Sequence, residues 1–94
     1  MKLFISGPMT GLPEFNYPAF QAAADALRAE GFDVVSPAEN APKNADWAEY
    51  MKLSIRKLLD CQAVYMLAGW EESKGAMLEY EIAANLGYQV IFQP

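Results

Sequence analysis

Residues 63–92 read AVYMLAGWEESKGAMLEYEIAANLGYQVIF, two short apolar runs separated by a loop and a helical pattern. The runs at 63–67 and 88–92 are short, apolar and bounded by turn residues, as buried strands are. Between them Ser73 is a natural helix N-cap, and Gly87 a natural residue just past the helix end. At about 100° per residue, Ile82, Leu86, Ala83, Ala76, Gly87 and Tyr80 fall on one side of this helix. Met77, Glu81 and Asn85 fall on the other. Glu79 lies inside the apolar arc, between Leu86 and Ala83, whereas Glu81 points to solvent. A carboxylate on an inward face is costly unless it is paired, hydrogen-bonded or open to a cavity. Ala76 and Ala83, one turn to either side, are small enough to leave that cavity. Glu79 is therefore the first candidate for chemistry.

The same alternation continues upstream. Leu3-Phe4-Ile5 is a buried first strand that ends at Ser6-Gly7-Pro8. The loop that follows, SGPMTGLPEFNY, carries Gly7 and Gly11, and is neither a Walker A sequence nor G-x-G-x-x-G. It serves either as an ordinary turn or as a place where backbone N–H groups approach an anion. Pro18 opens a first helix that closes at Gly31, with Phe20, Ala23, Ala24 and Leu27 as its buried stripe. Asp33-Val34-Val35 is a second strand, and 36–43, with Pro37 and Pro42, a loop. Asp46 with Glu49 forms a capping box. It starts a second helix running to about Asp60, with Trp47, Met51, Ser54 and Leu58 inward.

The order β-α-β-α-β-α-β with apolar strands implies an α/β fold. It predicts one three-layer domain over residues 1–94, flavodoxin/Rossmann-like, with helices on both faces of a four-stranded parallel sheet. Right-handed crossovers give the strand order 2-1-3-4. Ligands of such sheets bind at the carboxyl ends of the strands. Ser6-Gly7, Ala68-Gly69 and the start of the last helix, with Ser73 and Gly75, converge there.

Composition narrows the partners. The 94 residues carry a net charge of −5, so phosphate-backbone binding to polymeric nucleic acid is disfavoured. A single nucleotide can still bind through backbone N–H groups. Cys61 is the only cysteine and there is no histidine, which excludes an internal disulfide, histidine triads and His-ligated metal sites. No metal or cofactor is expected. Met1-Lys2 runs directly into the first strand without a signal peptide, and no apolar run approaches the roughly 20 residues that span a bilayer. The expectation is a soluble cytoplasmic protein with no membrane partner.

FISGPMTGLPEFNYPAF (4–20), the helix at 47–59 and YMLAGWEESKGAMLEYEIA (65–83) resemble a family of small uncharacterised proteins common in phage and bacterial genomes. That family is grouped with the nucleoside 2-deoxyribosyltransferases and the 2′-deoxynucleoside 5′-monophosphate N-glycosidases. The resemblance to those enzymes rests on element order, the first-strand glycine loop, and a polar residue six positions before a helical glutamate. It implies that Glu79 is a nucleophile. Because the helix dipole fades within the first turn, an ionised Glu79 then needs a hydrogen bond from Tyr80, Tyr65 or a backbone N–H. The residue at Ser73 is Asp in the transferases and Ser in the monophosphate glycosidases, where it accommodates a phosphate. The enzymes place an Asp where this chain has Ser54.

The resemblance further implies a small nucleoside or nucleotide ligand and a homodimer or larger assembly; in this chain Tyr50, Met51 and Met77 are the candidate interface residues. Ser6, Gly7, Gly11, Ser54, Gly69, Trp70, Ser73 and Gly75 are the candidate substrate-binding residues. Gly7, Gly11 and Ser73 would hold the 5′ end. Trp70, just after a strand, is the best placed aromatic to stack on a base, ahead of Tyr17 and Tyr65. Two alternatives stay open at this point. One is a glycosidase or transferase; the other is a non-catalytic nucleotide-binding or host-interaction module that keeps the fold. Taken residue by residue, the plain readings are a partly exposed Glu79 paired with Lys74 or Arg56 and a small core Ser54 bonded to the backbone.

Overall fold

A computed structural model describes residues 1–94. Strands β1 (Lys2–Ser6), β2 (Asp33–Val35), β3 (Ala63–Met66) and β4 (Gln89–Phe92) alternate with helices α1 (Tyr17–Ala29), α2 (Trp47–Leu59) and α3 (Lys74–Asn85). The four strands are parallel and lie in the order β2-β1-β3-β4. Leu3 is level with Val34 and Ala63, and Ser6 with Met66. Two 3-10 turns, Pro13–Asn16 and Trp70–Glu72, lead into α1 and α3.

Because side chains alternate across a strand, β1 and β3 feed two different cores. Leu3, Ile5, Ala63 and the following Leu67 pack against Phe20, Ala23, Ala24 and Leu27 of α1. Phe4, Val64 and Met66 pack on the opposite face against Leu58 of α2 and Ala76 and Ala83 of α3. Ser6 follows Phe4 by two and so belongs to the α2/α3 face. That parity puts a hydroxyl at the end of a buried strand, under two helices.

The predicted helix ends form as capping chemistry requires. Asp46 accepts the Glu49 N–H at 2.8 Å, and Ser73 accepts the Ala76 N–H at 3.2 Å. Gly87 turns the chain out of α3 at φ +75°, a left-handed conformation that a side chain would resist.

Three expectations need correction. Trp47 is not part of the buried stripe of α2: it is 40% exposed, at the first turn of the helix. Leu86 is 56% exposed because α3 stops at Asn85, so Leu86 belongs to the cap and not to the helical rotation. Met51 is buried beneath α3, and Tyr50 is half-buried with its hydroxyl turned to Met9 and Pro37. Met51 is therefore buried within the protomer, Tyr50 stays partly accessible, and Met77 is exposed. No helix is long and apolar enough to cross a membrane.

Candidate active site

Three secondary-structure elements bring three polar side chains together beneath the carboxyl ends of the strands. Ser6 is the last residue of β1, Ser54 lies in the middle of α2, and Glu79 lies in the second turn of α3. Ser6 Oγ donates to Glu79 Oε1 at 2.7 Å, and Ser54 Oγ donates to Oε2 at 2.6 Å. All three residues are buried, with Glu79 4% exposed.

Neither proposed salt partner reaches this carboxylate. Lys74 places its ammonium 4.3 Å from the centre of the Trp47 ring, a cation–π contact, and Arg56 is exposed. The protein's one ion pair joins Arg28 and Glu39 at the surface. Ser54 spends its hydroxyl on the carboxylate and not on the backbone. The donors to Glu79 are two serines, and neither Tyr80 nor Tyr65 takes part. Burial pushes the Glu79 carboxyl above the usual carboxylate range, while the bonds from Ser54 and Ser6 pull it back.

Glu79 forms part of the wall of a cleft of about 790 Å³. The other walls come from the loop after β1, the start of α1, the loop from Pro37 to Asp46 and the first turns of α2 and α3. Glu79, Ser54, Ser73, Gly75 and Gly7 all face this space. Ser6 sits behind Glu79, fully buried.

Three nominated residues stand elsewhere. Gly11 and Gly69 occupy left-handed turns outside the cleft wall, at φ +81° and +86°. Trp70 stacks against Phe92 with centroids 5.7 Å apart and leans on Tyr80 at 4.7 Å, also outside the cleft. Tyr65 packs with the α1 core, whereas Tyr17 does face the cleft.

Two of the glycines are explained by packing. A Cβ on Gly7 would lie 2.7 Å from Cβ of Leu67, so the loop can cross the end of β3 only without a side chain there. A Cβ on Gly75 would lie 3.0 Å from Sδ of Met51, where α3 approaches α2 closely.

The sequence reading missed the aromatic wall. Trp47 and Tyr50, assigned to core and interface, both line the cleft, as does Phe15. A usable signal existed: α2 follows β2, so its first turns must stand at the carboxyl end of the sheet, where Ser54 also lies one turn below Tyr50. Burial and the nearby Glu79 charge push the Tyr50 phenol well above its usual range, so it remains a neutral hydroxyl.

Around this cleft the backbone is unusual. Glu14, Phe15, Asn16, Asn40 and Asn44 are the only residues other than glycine at positive φ, between 53° and 62°. Asparagine tolerates this region, but glutamate and phenylalanine do so at a cost. Asn16 steadies the first loop by donating from Nδ2 to the Pro8 carbonyl at 2.9 Å. No cluster of three or more cysteine, aspartate or glutamate side chains that could hold a metal occurs.

The backbone is similar to two solved enzymes. A 2-deoxyribosyltransferase from Bacillus psychrosaccharolyticus superposes with a TM-score of 0.75 over 98% of this chain and 71% of its own, at 18% identity. A 2-desoxiribosyltransferase from Leishmania mexicana gives a TM-score of 0.75 over 97% of this chain and 62% of its own, at 17% identity. This chain thus spans less than two thirds of the Leishmania enzyme, and at such identities the likeness shows a shared fold. A comparison with functionally curated proteins finds none that matches. Residues 1–92 match the model of one family, and the chain belongs to that family, described as Domain of unknown function (DUF4406).

Proposed function

We propose that this protein is a 2-deoxyribosyltransferase-like N-glycosidase or transferase, acting on a 2′-deoxynucleoside or its 5′-monophosphate with Glu79 as nucleophile. The observation that carries the reading is a buried carboxylate without any cationic partner, held by two hydroxyls at the wall of a cleft at the strand ends. The fold shared with two deoxyribosyltransferases supports it. A carboxylate needed only for stability is normally paired or exposed.

In this mechanism a Glu79 oxygen attacks C1′ of the sugar. The C1′–N bond breaks, its electron pair leaves with the base, and a glycosyl ester of Glu79 remains. Water resolves the ester in hydrolysis; a second base resolves it in transfer. Ser73 and the first turn of α3 present the positive end of a helix dipole to the 5′ end, with Lys43 on the same cleft wall. Tyr17 and Trp47 offer flat apolar surface for the base.

One observation favours a second reading. Ser54, where the related enzymes carry an aspartate, is committed to Glu79 and leaves no carboxylic acid there to protonate a departing base. A nucleotide-binding module of the same fold would have this arrangement without turnover.

The test incubates wild type and Glu79→Ala with the four deoxynucleoside 5′-monophosphates and the matching nucleosides, and measures free base. Wild type is expected to release base from at least one of them and Glu79→Ala from none. Ser73→Asp should depress monophosphate turnover more than nucleoside turnover. Absence of release by wild type, together with nucleotide binding by calorimetry, replaces the enzyme with the binding module.

A further inference from the structure

We propose that Ser6 and Ser54 are positioning residues that keep Glu79 ionised and fixed in orientation, doing with two hydroxyls what a cationic partner does elsewhere. The inference rests on Glu79 being the nucleophile, but its central measurement needs no substrate.

The geometry is specific. Each carboxylate oxygen takes one hydroxyl, and the two donors come from different layers, Ser6 from the sheet and Ser54 from α2. A carboxylate gripped by both oxygens cannot turn about its last side-chain bond without breaking both contacts. An ionised carboxylate accepts only, and offers about four lone-pair directions. Two remain free for attack. Donor–acceptor separations of 2.6 and 2.7 Å lie in the range of hydroxyl-to-carboxylate bonds, about 2.5–2.7 Å.

No other side chain hydrogen-bonds or ion-pairs with Glu79. From α2, Tyr50 faces the same cleft as a neutral phenol. From α3 itself, Lys74 is engaged by the Trp47 ring. The neighbouring inward residues of β1 and β3 are Phe4, Val64 and Met66, none of which titrates, and β4 contributes no titratable residue. Glu71 and Glu72 in the turn before α3 are exposed. Lys43 and Asp46 stand on the cleft wall, exposed, and neither bonds Glu79.

A merely structural triad has a different proton count. A protonated Glu79 would donate its own O–H to one serine and accept from the other, tying β1, α2 and α3 together as a neutral cross-link. The two states are distinguishable by titration. A hydrogen bond to a charged acceptor is strong enough that losing one hydroxyl should move the Glu79 titration up by about one to two pH units.

The experiment follows the Glu79 side-chain carboxyl by carbon NMR of glutamate-labelled protein, with Glu79→Gln identifying the resonance. In wild type the group is expected to be ionised at pH 7. Ser6→Ala and Ser54→Ala should each titrate about one to two pH units higher, and Ser54→Thr should return close to wild type. Should an alanine variant fail to fold, Ser54→Thr against Ser54→Val compares hydroxyl present and absent at equal shape. Where base release is measurable, the acid limb of its pH profile should move with the titration. A wild-type Glu79 that carries its proton at pH 7, or serine variants that titrate where wild type does, would overturn the proposal. Lack of base release with the expected titrations defeats the enzyme reading and leaves the clamp standing.

Discussion

The two faces of the sheet are made by the same strands, yet they differ in kind. On the α1 face Leu3, Ile5, Ala63 and Leu67 meet Phe20, Ala23, Ala24 and Leu27 in an apolar layer. On the other face Phe4, Val64 and Met66 begin the same sort of layer beneath α2 and α3. At its carboxyl end that layer gives way to Ser6, Ser54 and Glu79. Every buried polar side-chain atom there has a partner, so the polar cluster is stable without contributing apolar burial. The lesson is a division of labour: the α1 face is apolar throughout, whereas the α2/α3 face combines an apolar core with a buried, hydrogen-bonded carboxylate at its carboxyl end.

Substitutions on the two faces should therefore separate stability from function. The largest loss of stability is expected for Leu3→Ala, which empties a fully packed site on the α1 face. Its cost is about 2–5 kcal/mol in denaturant unfolding, with base release per folded molecule kept. A loss well under that range would mean that the Leu3 site is not fully packed.

Gly7→Ala comes next, because the new Cβ meets Cβ of Leu67 at 2.7 Å and neither atom sits on a flexible end. A destabilisation of about 1–3 kcal/mol is expected. If stability is unchanged while activity falls, Gly7 serves a ligand and the packing explanation fails.

The smallest effect has the opposite sign. Glu79→Gln should raise the thermal midpoint by a few degrees at pH 7, since it removes a buried charge while keeping the shape. The Glu79 carboxyl is raised by burial from its ordinary value of 4.5. The folded state therefore binds the proton more tightly than the unfolded chain does. Wild-type stability from this group is full below about 4.5 and is lost as pH rises through the folded value. The midpoints of wild type and Glu79→Gln should accordingly converge in acid and part as pH rises. Divergence in acid instead would show that Glu79 is stabilised as a charge by more than its two serines.

How much of this was legible follows from the range of the forces involved. The alternation of short apolar runs with capped helices, Asp46 and Glu49 at one start and Ser73 at another, is local chemistry. It pointed to a parallel sheet in the order 2-1-3-4, and the strands pair so. The inward direction of Glu79 was likewise readable, because helical rotation alone sets it. Trp47 and Leu86 were misplaced because each sits at a helix end, where the periodic rule that assigns faces stops applying.

What surrounds Glu79 was not readable in the same way. Ser6 and Glu79 are 73 positions apart, and Ser54 and Glu79 are 25 apart. No local pattern says which hydroxyl will meet which oxygen. The aromatic wall of Trp47, Tyr50 and Phe15 depends in the same way on how two loops and two helix starts converge. The sequence by itself determined the elements, their caps and the inward face of each helix, since these depend on residues within a turn or two. Only the tertiary structure decided that β1's parity aims Ser6 at α3, that Trp70 joins Phe92 away from the cleft, and that Glu79 meets two serines and no cation. Those outcomes depend on strand register and helix packing, which bring together residues that the chain keeps far apart.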